Sequence, residues 1–425
     1  MIQVQAKFSD FEPGWLDDLV LASKEIPAQK RAPTSVVPAA QLESTKAAAS
    51  SAKQGTVVVM ATNILTSGAM AQIWGMINGM QIYCNLPLFK VLFPSYTSSA
   101  IGEVVEISSF EVIPLGDLLT LVFGEPEGDG DEAIPDFYDN GYESYYIIIN
   151  LGGLAVIFVM TITIPLLIIL FLSPLKSRSK YAQNKIKTMT NAMHGNMMIR
   201  YVIEAGLDIS ISVSLQLYYA DLNGGLFGSS SAFDVTNSLM TVIFGPVVLI
   251  GIVVLGFFYV KTFNRWSDED YDNKYGAVFE GLRKDTKAAL FYPLIFMVRR
   301  IAFSIVAIFT LEHLFLQIWC LFIFSTLQLV FLFAVKPFDI PLMQGLEVFN
   351  ELCSVILIYV MMCFSDANND LEYTANYYDF AFLFGMAVNL IVHVYLLVKD
   401  SVLSIKDKIK ARCFKTKAVA KGPLI

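Results

Sequence analysis

The sequence predicts an all-α fold, a polytopic membrane helix bundle with seven or eight transmembrane helices. Three observations carry that expectation. The 425-residue chain is 55% hydrophobic and 16% charged, where a soluble domain carries about a quarter charged residues. Uncharged apolar runs recur along it, each long enough to cross roughly 30 Å of hydrocarbon. Its Lys and Arg residues gather in alternate loops, as expected of a chain threaded back and forth across a bilayer.

Residues 1–55 read as a flexible N-terminal arm. Pro27, Pro33 and Pro38 interrupt any early pattern, and QLESTKAAASSAKQ is of low complexity, at most a loose helix. No basic stretch followed by an apolar core opens the chain, so the start does not read as a cleavable signal peptide. Either the N-terminus stays cytoplasmic or the chain is the C-terminal part of a longer product. Residues 56–400 form the transmembrane domain, with apolar segments at 56–86, 146–173, 198–220, 236–260, 294–311, 314–335, 345–364 and 379–398. Pro165, Pro246 and Pro293 fall within or beside these segments as kink sites.

Charge orients the set. No Lys or Arg occurs from Val91 to Leu175, which places the acidic loop 91–145 outside, with Glu125, Glu127, Asp129, Asp131 and Glu132 as its most acidic stretch. Lys176–Lys187 is inside, Asp221–Val235 outside, and Lys261–Lys287 inside. Glu312–His313 is outside, Lys336–Pro337 inside, and Asp366–Asp379 outside. The basic tail, 401–425, is then cytoplasmic, where it suits anionic lipid.

The first segment is different in kind. It is uncharged but carries Asn63, Ser67, Asn78, Gln81 and Asn85 near one helical face, with Trp74 filling the gap. Such a stripe fits an interfacial helix, a buried helix contact or a wet pathway. If the segment spans, eight helices result and the N-terminus is inside; if it does not, seven result and the N-terminus is outside.

Ionisable residues in membrane helices are the natural candidates for function, because each costs energy at depth unless it faces protein or water. Arg200, Glu204 and Asp208 follow one another at i, i+4 and i+8. Glu347 and Glu351 share that spacing, with Asn350 beside them, and Arg299 and Arg300 enter from the same inner face. Two readings apply: a salt-bridge network pinning three helices, or a cation or proton site built from the four carboxylates. Asn389 and His393 form a further i, i+4 pair, read as a histidine bonded to a neighbouring helix or as a titrating gate. Residues 273–300 make an amphipathic inner stretch, an interfacial anchor or a coupling element.

Five cysteines (Cys84, Cys320, Cys353, Cys363 and Cys413) show no paired spacing, and no metal motif, phosphate loop or nucleophile elbow occurs. The sequence points to no catalytic residue, no cofactor and no enzyme. The net charge of −8 is split between acidic outer loops and basic inner ones, which suggests no nucleic-acid partner. The expected partners are the lipid bilayer and, at the acidic groups, cations.

The stretches IWGMINGMQIYCNLPLFKVLFP (73–94), KYGAVFEGLR (274–283), FYPLIFMVRR (291–300), VKPF (335–338) and LEVFNELC (346–353) resemble the C-terminal membrane region of large ciliate surface proteins. More distantly they are similar to fungal transient-receptor-potential-like and polycystin-like membrane proteins. The resemblance implies a surface-membrane location and a cation channel or sensory membrane protein. A non-conducting anchor or signalling protein is the alternative, and a secondary transporter a third, for which no internal repeat is found. One feature departs from the channel pattern: the loop from Ser365 to Tyr378 is too short for a pore helix and filter.

Overall fold

A computed structural model describes residues 39–66, 70–91, 93–108, 137, 142, 144–151, 162–163, 165–191, 203, 205–222, 225–227, 232–265, 268, 271, 275–276, 279, 281–364 and 371–420. The longer helices are α1 (Ala39–Thr66), α2 (Met70–Cys84), α3 (Ser95–Ser108), α4 (Lys180–Asn191), α5 (Gly206–Leu222), α6 (Ala232–Thr262), α7 (Tyr292–Phe309), α8 (Leu314–Val335), α9 (Pro341–Met362) and α10 (Leu371–Ala420). The one bridge of β type among the described residues pairs Leu282 with Phe338.

Local sequence sets several helix ends. Pro341 and Pro293 occupy first-turn positions of α9 and α7, where the missing N–H costs nothing. Helix α8 stops at Lys336, which takes a left-handed conformation (φ 49°) just before Pro337. Pro246 lies inside α6 and removes one backbone hydrogen bond there.

Helices α5 to α10 alternate in direction, as their contacts show. Gly206 of α5 faces Met297 and Tyr218 faces Phe309, so α5 and α7 run parallel. Helix α6 opposes both, with Gly245 against Val213 and Gly256 against Leu294. Gln317 bonds the Ala307 carbonyl and Ser325 meets Arg299, so α8 runs back along α7. Gln344 bonds the Leu332 carbonyl, and Gly385 faces Leu357, which turns α9 and then α10 in their turn.

Helix ends that flank the acidic segments gather at one end of the bundle. Tyr145, Tyr146, Tyr219 and Phe233 form an aromatic cluster at one end, with Phe93, Phe364 and Phe382 packed together at that same end of α9 and α10. At the other end Phe258, Tyr271 and Tyr275 pack together, and Phe338 sits on Tyr292. There the backbone N–H of Arg283 donates to Pro337 and that of Asp339 to Gly281. This clasp ties residues 281–283 to the turn between α8 and α9.

The distribution of polarity is inverted relative to a soluble protein. Asp208, Arg299, Arg300, Gln317, Gln328, Asn350, Glu351, Asn389 and His393 are buried, while Phe257, Phe315, Leu327, Phe333, Phe384 and Ile391 are exposed. Among the described residues, four helical stretches are long and apolar enough to cross a membrane: Lys287–Phe309, Leu314–Val335, Pro341–Met362 and Tyr377–Leu403. An apolar exterior around polar contacts is what a bilayer solvent selects, since lipid cannot satisfy a hydrogen-bonding group.

The first apolar segment becomes two helices. Thr66 of α1 and Met70 of α2 are separated by residues 67–69 only. Helix α2 runs parallel to α9, with Gly75 against Leu346 and Gly79 against Asn350. At the far end of α1, Gln41 accepts from Tyr96, whose ring stacks on Phe380 at the outer-loop end of α10. Thus α1 descends from that end and α2 returns to it. Residues 39–55, within the stretch expected to be a flexible arm or loose helix, are helical.

Candidate functional site: a buried polar network

Helix α2 sits against α3, α9 and α10 and presents Asn78 and Gln81 to protein. Arg300 is only 1% exposed, and its guanidinium bonds Asn78 Oδ1 at 2.6 Å, the Ile203 carbonyl at 2.7 Å and Gln81 Oε1. The Phe296 ring lies beneath the guanidinium, with its centroid 4.1 Å away. Gln81 in turn donates to Asp208 at 3.4 Å, and Tyr142 donates to the other oxygen of Asp208 at 3.1 Å. The Tyr142 hydroxyl also reaches Asn85 at 3.5 Å. This chain links α2, α5 and α7 with Tyr142.

A second chain centres on Asn350. Its Oδ1 meets His393 Nε2 at 2.7 Å and accepts from Asn389 Nδ2 at 3.1 Å. Tyr83 donates to Asn389 Oδ1 at 2.9 Å, and Asn350 Nδ2 reaches the Gly75 carbonyl at 3.4 Å. The third unit is the buried ion pair of Arg299 with Glu351, supported by Ser325 at 3.4 Å. One turn earlier on α9, Glu347 accepts from Tyr292. A serine seam, Ser210 and Ser214 on Ser304, closes α5 onto α7.

The eight residues expected to cluster therefore divide. Asp208, Arg299, Arg300, Glu347, Asn350 and Glu351 come together around α2, and the pair Asn389–His393 joins them through Asn350. Arg200 and Glu204 lie outside the described residues, as do the side chains of Asn63, Ser67 and Trp74. His393 bonds a neighbouring helix through Asn350. Asp208 is linked to Arg300 through Gln81, whereas Glu351 pairs with Arg299 and Glu347 accepts from Tyr292. Among the described residues, no three His, Cys, Asp or Glu side chains converge as a metal site would require.

Sequence reasoning missed Tyr83, Tyr142, Tyr292 and Ser325. A tyrosine in an apolar run gives no periodic signal of its partner. The buried face of α8 did carry one: Gln317, Ser325 and Gln328 recur at i, i+8 and i+11, the spacing of one helical face.

An inverted polarity, alternating helices and charges buried against protein define an integral, multi-pass helical membrane protein. No family model, no curated protein and no solved structure matches the chain.

Proposed function

We propose that the protein is a sensory membrane protein of the transient-receptor-potential-like kind, with cation conduction as its activity. One observation carries the reading: a network of ionisable side chains buried at membrane depth joins α2, α5, α7, α9 and α10. A protein that only anchored an outer domain would gain nothing from burying charge, which costs energy in a membrane helix. The inner clasp at residues 281–283 and 337–339, one helix start away from the Tyr292–Glu347 bond, would transmit movement of the inner stretch into that network.

The same reading assigns seven full crossings, 146–173 through 379–398, with α1 and α2 as an additional hairpin. Both ends of the hairpin then lie outside, beside the acidic loop. The C-terminal tail is cytoplasmic, in a surface membrane, with anionic lipid as its partner. Labelling cysteines placed at Ser44 and at Gly141 checks this: both should react from the same side, and opposite sides would restore the eight-helix arrangement.

A second reading, a non-conducting membrane protein, is favoured by the engagement of Arg299 and Arg300 in protein contacts. Cation flux into liposomes containing the purified protein separates the two. Flux above that of empty liposomes, reduced by Glu351→Gln, supports conduction; none from a folded, inserted protein supports the second reading.

A further inference from the structure

Where the three polar chains approach one another, a small cavity opens between α2, α7 and α9. Its walls include Asn78 and Arg300 from the first chain, Asn350 from the second, and Arg299 and Glu351 from the third. The space suits about one water molecule. Glu351 is the informative wall. Its Oε1 is taken by Arg299, while its Oε2 is buried with no hydrogen-bond partner among the protein atoms. A carboxylate oxygen left bare inside a bundle is costly, and such atoms usually face an ordered water or ion.

Charge decides between those occupants. The ionisable groups on the walls are Arg299, Arg300, Glu347 and Glu351, two of each sign. A cation would find no net attraction there, whereas a neutral dipole able to donate finds an unsatisfied acceptor. We infer that the cavity is a binding site for a single water molecule. That water donates to Glu351 Oε2 and joins the three chains into one network, fastening the hairpin helix α2 to α9. The inference rests on the membrane placement but not on cation conduction.

Hydroxyl-radical footprinting of the full chain in lipid nanodiscs, with radicals generated in place by X-rays, reads bound water directly. Side chains beside a trapped water are oxidised although bulk solvent does not reach them. Phe296, on the cavity wall, should be labelled several-fold faster than Phe303, which is also buried but lies off the cavity. Gly79→Ala should suppress that labelling, because its new Cβ would sit 3.1 Å from the Asn350 amide and intrude on the space. Ile82→Ala, which enlarges the cavity, should raise it and serves if the first variant does not fold. Phe296 labelling no faster than that of Phe303, or unmoved by Ile82→Ala, would overturn the site. Neither readout involves transport, so a failure of conduction and a failure of this site are distinguishable.

Discussion

Helices α2 and α8 lie at the same depth of the bundle and solve opposite problems. Helix α2 carries Asn78 and Gln81 and is enclosed by other helices, with Gln81 fully buried. Helix α8 is apolar along most of its length and turns Phe315, Trp319, Leu327 and Phe333 outward, Phe315 being 73% exposed. Its inner face holds Gln317, Ser325 and Gln328. In water the apolar helix would be the buried one. Inside a bilayer, lipid solvates Leu and Phe as well as protein does, so the interior is reserved for groups that lipid cannot satisfy. Burial here follows polarity, not apolarity.

The contrast can be broken at the interior first. Arg299→Ala would strand Glu351 and should cost about 3–5 kcal/mol, measured by unfolding in mixed micelles. The double replacement Arg299→Met with Glu351→Leu should recover most of that loss, since no charge remains unpaired. Equal losses in the single and double variants would mean that the pair does not hold α7 to α9.

Gln81→Leu tests α2 itself. It removes the link between Arg300 and Asp208 and should cost about 1–3 kcal/mol in the same assay, although it makes the helix more apolar. A gain in stability would show that α2 meets lipid, contrary to its packing. Tyr142→Phe deletes one hydroxyl from Asp208 and should cost about 1 kcal/mol. Smallest of all is Leu327→Ala on the outward face of α8, expected within about 0.5 kcal/mol because Leu327 is 60% exposed. A large loss there would reveal a protein contact on that face.

Much of the fold was legible in the sequence because its causes are local. Length and apolarity mark α7 to α10, and basic loops give their alternation. Gln81 and Asn85 were visible as a stripe, and their burial against protein was one of three outcomes that the stripe allowed. The division of the first apolar segment into α1 and α2 was not legible. Residues 56–86 are uncharged throughout, so no charge marks the turn. What fixes the hairpin is long-range: Gln41 on Tyr96, Tyr96 on Phe380, and Gly79 on Asn350.

The candidate site divides along the same line. Arg299, Glu351, Asp208 and His393 announce themselves because ionisable residues are rare in apolar runs. Their partners do not, since Tyr142, Tyr83 and Ser325 are unremarkable in composition and distant in sequence. The sequence alone determined that this is a helical membrane protein with alternating helices and buried charge, because apolar length and loop charge are properties of single segments. Only the tertiary structure decided that α1 and α2 form a hairpin, and that Arg300 reaches Asp208 through Gln81. Pairing across helices depends on which faces meet, and no single segment encodes that.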